Sequence, residues 1–250
     1  MRRFLGTNLV ALLLFSLGQV ARSADDGATA VIDKGIKALG GEAKLSKGKA
    51  IAWKTKGKIH FGDNENSFTG STTIAGLDRF RGEFEGEFGG NSVKGVTVLN
   101  GDKGWRKFGD MSSELDKEGL ANEKRTVYLQ VVAATLLPLK GKDFQVEAAG
   151  EEKVGDADAV GVKVTPPDGK EFKLYFDKTS GLPVKLVAKI VGFTGDELTQ
   201  ETTYENYKDI GGIKKALKVD SKHNGERFLE AEISDFELLE KVDDKLFAEP

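Results

Sequence analysis

Between residues 79 and 88 the chain alternates with a period of two. Phe80, Gly82, Phe84, Gly86 and Phe88 fall on one side, and Arg79, Arg81, Glu83, Glu85 and Glu87 on the other. Successive side chains of a strand point to opposite faces, so the segment predicts a strand with a Phe-Gly-Phe-Gly-Phe face and a charged face. Rings four apart would also share a helical face, but glycines at 82, 86, 89 and 90 would each cost a helix about 1 kcal/mol relative to alanine. The same period runs through residues 51–61, where Ile51, Trp53, Thr55, Gly57, Ile59 and Phe61 oppose Lys54, Lys56, Lys58 and His60. It also runs through 67–75, with Phe68, Gly70, Thr72 and Ile74 on one face.

Strands are predicted at 93–99 and 104–108 around the hairpin signal Asn100-Gly101-Asp102. The period then changes. Residues 112–137 contain one glycine and carry Leu120, Val127, Tyr128, Val131, Val132, Thr135 and Leu136 at helical spacing. Ser113 is the expected N-cap, with Asp116 three residues on, close to a capping box. A break is expected near Gly119, and Pro138 follows the end. A shorter helix is predicted over 28–39 from Ile32, Ile36 and Leu39, stopped by Gly40-Gly41. Alternation resumes at 144–149, 157–165, 172–176, 182–190, 198–207 and 213–222. After Asn224-Gly225 it continues over 227–239. The expectation is a mainly β, α+β domain: an antiparallel meander of about eleven strands whose apolar face has only these helices to cover it.

The first 23 residues read as a secretory signal. Arg2 and Arg3 precede an apolar run at 9–17, and Ala21-Arg22-Ser23 fits a small-x-small cleavage site. The run is about nine residues, against roughly 20 for a spanning helix. Cleavage after Ser23 would leave 24–250 as a single exported, periplasmic domain. Loss of Arg2, Arg3 and Arg22, with no acidic residue before Asp25, would take the formal charge from −3 to about −6. Nothing resembles a basic stripe for nucleic acid or a polybasic patch for anionic lipid. The absence of cysteine excludes disulfides, thiolate metal sites, a cysteine nucleophile and N-terminal cysteine lipidation. Glycine, 31 of 250 residues, exceeds the usual ~7% and lies singly or in pairs between alternating segments, which fits many short strands and tight turns.

Reaction chemistry is not visible. His60 and His223 stand apart among charged neighbours, with no metal-ligand spacing. No phosphate-binding glycine loop and no Gly-x-Ser-x-Gly occurs. The paired acids Glu151-Glu152, Asp156 with Asp158, and Asp243-Asp244 read as solvated surface, and no Ca²⁺ loop motif surrounds them. A non-enzyme without cofactor or metal is the expectation. Gly57, Gly70, Gly82 and Gly86 on the apolar faces have two readings. They leave free volume for a ligand, or they allow tight curvature in a filled, bent sheet.

Several segments together resemble the periplasmic lipoprotein-carrier superfamily, the LolA and LolB type, and the outer-membrane lipoprotein-sorting proteins. They are Ala38-Leu39-Gly40-Gly41; Arg79-Phe80-Arg81; Asn100-Gly101-Asp102 with Gly104-Trp105; and Tyr175-Phe176-Asp177 with Gly181-Leu182-Pro183-Val184. The others are Tyr204-Glu205-Asn206-Tyr207 with Gly211-Gly212-Ile213, and Phe236 to Phe247 with Val242-Asp243-Asp244. The resemblance implies an incomplete antiparallel barrel with a helical lid over an apolar cavity that takes acyl chains of lipoproteins or other lipids. It departs at Ile74-Ala75-Gly76-Leu77-Asp78, where the carriers have an arginine-proline pair whose arginine helps hold the lid.

On this reading Trp53, Ile59, Phe80, Phe84, Phe88, Phe172, Leu174, Phe176, Leu186 and Ile190 form the cavity wall. Val127, Val131, Val132 and Leu136 line the lid. The function expected is a monomeric carrier of lipid or lipoprotein acyl chains, without nucleic-acid partners or stable membrane insertion. The alternatives are an envelope sensor or interaction module that binds a membrane protein, and a structural domain with a filled core.

Overall fold

A computed structural model describes residues 17–192 and 195–250. Most of the predicted leader, including Arg2, Arg3 and most of its apolar run, lies outside the described residues. The first helix, α1 (Leu17–Leu39), begins within that leader and ends at Gly40-Gly41. Both glycines have positive φ, and a side chain on Gly40 would meet the Gly212 carbonyl at 2.5 Å. A short α2 (Glu42–Leu45) follows.

Six strands then meander outward: β1 (Ala50–Phe61), β2 (Asn64–Ala75), β3 (Arg79–Phe88), β4 (Asn91–Asn100), β5 (Lys103–Phe108) and β6 (Met111–Glu114). Helix α3 (Lys117–Thr135) carries the chain away from that edge. Seven strands return: β7 (Gln145–Val154), β8 (Ala157–Thr165), β9 (Phe172–Asp177), β10 (Pro183–Val191), β11 (Glu197–Ile210), β12 (Ile213–His223) and β13 (Glu226–Leu239). β13 pairs antiparallel with β1, so the spatial order is β6-β5-β4-β3-β2-β1-β13-β12-β11-β10-β9-β8-β7. The sheet is antiparallel, thirteen-stranded and not closed, and α3 is the connection between its two edges. Among the described residues, no helix is long and apolar enough to cross a membrane.

The predicted architecture is therefore present, with thirteen strands rather than about eleven, a first helix that starts at Leu17 rather than residue 28, and two local corrections. β6 occupies the start of the segment expected to be helical; its residues are all exposed, so no alternation marks it in the sequence. Asp116, not Ser113, caps α3, its carboxylate accepting the Gly119 N–H at 2.8 Å. That bond places Gly119 in the first turn, where the helix starts rather than breaks.

The main core lies between the concave face and the helices, and includes Ile32, Ile36, Val127, Val132, Leu136, Leu174 and Phe176. A smaller cluster of Ala50, Ala75, Val98 and Phe247 forms where the C-terminal 3-10 turn (Asp244–Phe247) packs against β3 and β4. Arg79 holds this turn, pairing with Asp244 at 2.6 Å and lying 5.3 Å from the Phe247 ring. Arg81 donates to the Leu246 carbonyl. The two arginines thus serve the C-terminal turn rather than α3.

Candidate functional site

The four glycines of the apolar faces are occupied by close neighbours. A Cβ on Gly57 would lie 1.9 Å from the Glu230 carbonyl, and one on Gly70 2.8 Å from the Glu83 carbonyl. On β3 the phenyl rings lean along the strand onto the glycines. The Phe80 ring would meet a Cβ on Gly82 at 2.6 Å, and the Phe84 and Phe88 rings one on Gly86 at 2.8 and 2.9 Å. Close packing therefore holds at Gly57, Gly82 and Gly86, whereas Gly70, although close to the Glu83 carbonyl, also borders open volume.

Open volume on the concave face reaches Gly70 but not the other three glycines. A concavity of about 400 Å³ extends from Leu39 at the end of α1 to Phe228 and Leu229 near the hairpin end of β13. Two irregularities bend the sheet around it. The β1–β13 register shifts between Ala52 and Lys54, opposite Asp235 with φ 49°, and Asn206 in β11 has φ 54°. Trp53 and Tyr207 stand at these bends and line the concavity.

Its walls differ in chemistry. One is aromatic: Trp53 on β1, Phe68 on β2 and Phe84 on β3, with Phe68 and Phe84 stacked at 5.7 Å. The facing wall, on β11 and β12, is polar. Gln200 donates to Thr202 Oγ1 at 3.2 Å, and the Thr202 and Ser221 hydroxyls lie 2.9 Å apart. His223 Nε2 lies 3.1 Å from Gln200 Oε1, and its ring stacks on Phe228 at 3.7 Å. Burial holds the His223 pKa below the usual imidazole value. The Tyr207 hydroxyl donates to the Pro183 carbonyl at 2.7 Å, and burial pushes the Tyr204 and Tyr207 phenols upward. Lys215 also lines the site, its ammonium 4.8 Å from the Trp53 ring and 5.2 Å from the Phe236 ring.

Helix α3 covers the concavity with Thr126, Leu129, Gln130 and Ala133. Arg125, 3% exposed, ties the helix to one half of the sheet. It donates to the Lys189 and Lys170 carbonyls at 2.7 and 2.8 Å, to the Glu171 carbonyl at 3.3 Å, and pairs with Asp168 at 3.3 Å. Toward β4 and β5 the ties are Arg106 with Glu123 and Lys124 with Asp102. Burial raises the Glu123 pKa against the pull of Arg106, whereas the bond from Lys124 lowers that of Asp102.

Of the wall residues expected from the sequence, Trp53, Phe84, Leu186 and Ile190 line the concavity. Phe172, Leu174 and Phe176 are packed in the core, where Phe176 lies against Gly35 of α1. Ile59 and Phe80 are buried away from the open volume, and Phe88 is half-buried at the hairpin end beside Phe61. Val127, Val131, Val132 and Leu136 are core residues, and the helix turns the adjacent face to the concavity. The polar wall and Arg125 were missed. Gln200, Thr202 and Tyr204 keep a period of two, but polar residues at that period read as a solvent face. Of the large apolar side chains described as exposed, Phe61, Phe108 and Met111 all lie at hairpin tips of one end of the sheet.

No protein-family model matches the chain, and no curated protein matches it. Solved structures do. A LolA superfamily protein from Nitrosomonas europaea superposes with a TM-score of 0.59 at 13% identity, over 89% of this chain and 97% of the other. A DUF1329 family protein from Desulfovibrio piger gives 0.55 at 13% identity, over 88% and 97%. A domain assigned to outer membrane lipoprotein sorting, from Vibrio parahaemolyticus, gives 0.50 at 12% identity, over 86% and 97%. At these identities the likeness is one of fold. The chain has a LolA-like fold, an incomplete antiparallel barrel with a helix linking its edges.

Proposed function

We propose that this protein is an exported, non-catalytic carrier that holds acyl chains of lipids or lipoproteins in the concavity, with α3 as its lid. The observation that carries the reading is the aromatic wall of Trp53, Phe68 and Phe84, facing about 400 Å³ of open volume beneath a helix tethered at both sides. Burial of acyl surface contributes roughly 0.8 kcal/mol per CH₂, so about ten buried methylenes, a full acyl chain rather than a short one, are needed to approach micromolar affinity. Opening requires that α3 part from the sheet, which uncovers Val127, Val132 and Leu136 but leaves the backbone pairing of the strands intact. The apolar tips Phe61, Phe108 and Met111 support loading at that end.

Native mass spectrometry tests this on protein purified from an envelope fraction without detergent, before and after incubation with phospholipid or a triacylated peptide. Near one lipid or acyl peptide per chain is expected. Phe84→Glu should keep the fold, read by circular dichroism, and lose that adduct, because it places a carboxylate in the aromatic wall. A clean mass in every condition would leave a structural or interaction module as the better reading.

A further inference from the structure

The polar wall of the concavity carries a cation with no internal counterion. Several other lysines of the sheet pair with carboxylates: Lys54 with Asp235, Lys56 with Glu232, Lys185 with Glu152 and Glu201, and Lys218 with Glu205 and Asp220. Lys215 makes no ion pair with any described residue. Its ammonium instead lies against the faces of Trp53 and Phe236. Among the described residues that line the concavity Glu83 is the one acidic side chain, and it is held by Arg81 at 2.7 Å. Lys214, the other basic residue there, adds a second positive charge.

An ammonium among apolar groups loses hydration, and aromatic faces return only part of that loss. Lys215 is half-buried, and burial lowers its pKa to about 8, a value that still leaves most of the population charged at neutral pH. An oxygen anion seated here would make the charge-assisted hydrogen bonds that the protein itself does not supply. A largely apolar site with few polar groups takes its ligand's orientation from those groups.

We infer that the ligand is an anionic acyl amphiphile, with a carboxylate or phosphate oxygen on the Lys215 ammonium and its chain against Trp53, Phe68 and Phe84. This rests on the acyl-carrier reading and adds the head-group class. A neutral amphiphile fills the same aromatic wall but leaves Lys215 without a counterion.

Titration calorimetry of the full protein with dodecanoate, dodecyl phosphate and dodecanol, each below its aggregation concentration, tests the inference. Wild type should bind at least one of the anions ten-fold or more tightly than the alcohol, and which anion wins tells a carboxylate source from a phosphate source. Lys215→Met should remove the preference while dodecanol affinity stays within two-fold, and Lys215→Arg should retain it. Lys215→Gln replaces Lys215→Met should the latter not fold. Equal binding of anions and alcohol by wild type, or a preference that survives in the neutral variant, overturns the inference and leaves the carrier reading standing. Failure of all three compounds to bind overturns both.

Discussion

The concave face is filled under α1 and open under α3, although the same period-two patterning produced both halves. On β8 and β9, Val162, Val164, Phe172, Leu174 and Phe176 are at most 2% exposed, and α1 packs closely onto Phe176. Gly35 permits that approach, since a Cβ there would meet Leu136 at 2.7 Å and Phe176 at 2.9 Å. Over β1–β3 and β10–β13 the cover is α3, which faces the sheet with Thr126, Gln130 and Ala133 and is fastened at its sides by charged groups. An inward-facing aromatic therefore becomes core or wall according to how closely its helix approaches. α3 is itself seated by Val127, Val132 and Leu136 in the core, and it is its adjacent, partly polar face that stands over the open volume.

Truncation should separate the halves most sharply. Phe176→Ala empties a site that cannot collapse and should cost about 3–5 kcal/mol in denaturant unfolding, as core phenylalanines do. A loss below ~1 kcal/mol would mean that the α1 half is as loose as the other. Arg125→Met should cost about 3 kcal/mol, because it strands Asp168 and three carbonyls that the guanidinium now satisfies. Its signature is faster amide exchange in α3 with unchanged exchange in β8 and β9. Uniform acceleration would show that α3 is not an independently fastened element.

Gly57→Ala should destabilise by about 1–3 kcal/mol, because the added methyl overlaps the Glu230 carbonyl of β13. A neutral result would return this glycine to the open-volume reading. The smallest effect belongs to Asp177, at the turn after β9, whose carboxylate is held below the ordinary range first by the Ser180 side chain and then by the Ser180 backbone N–H, 2.6 Å away. Its folded pKa lies below its unfolded value of about 3.9. Its contribution is therefore full above that pH and is lost as pH falls through the folded value. Asp177→Asn should flatten the acid limb of stability against pH without altering ligand binding.

Much of the fold was legible because a half-buried strand must alternate. β1, β3, β8, β9 and β12 lie where period-two patterning placed them, and Asn100-Gly101 and Asn224-Gly225 turn the chain as expected. β6 was not legible, since an all-polar edge strand has no face to bury. The N-cap moved from Ser113 to Asp116 because pairing with β5 claims residues 111–114 for the sheet. The aromatic part of the site was half legible. Trp53 and Phe84 were placed on the correct face, yet nothing local distinguishes them from Phe172 and Phe176.

The sequence by itself determined which residues turn inward, where the hairpins fall, and that two helical segments must serve a large sheet, though not that α1 is the longer of them. These follow from side-chain alternation, positive-φ turn residues and helical spacing, which act over a few residues. Only the tertiary structure decided that α3 joins the sheet's two edges, that glycines on the apolar face are filled by carbonyls and rings, and that Lys215 stands without a counterion. Those outcomes depend on which strands become neighbours and how closely the helices approach, and such distances are fixed by the packing of the whole sheet rather than by any one segment.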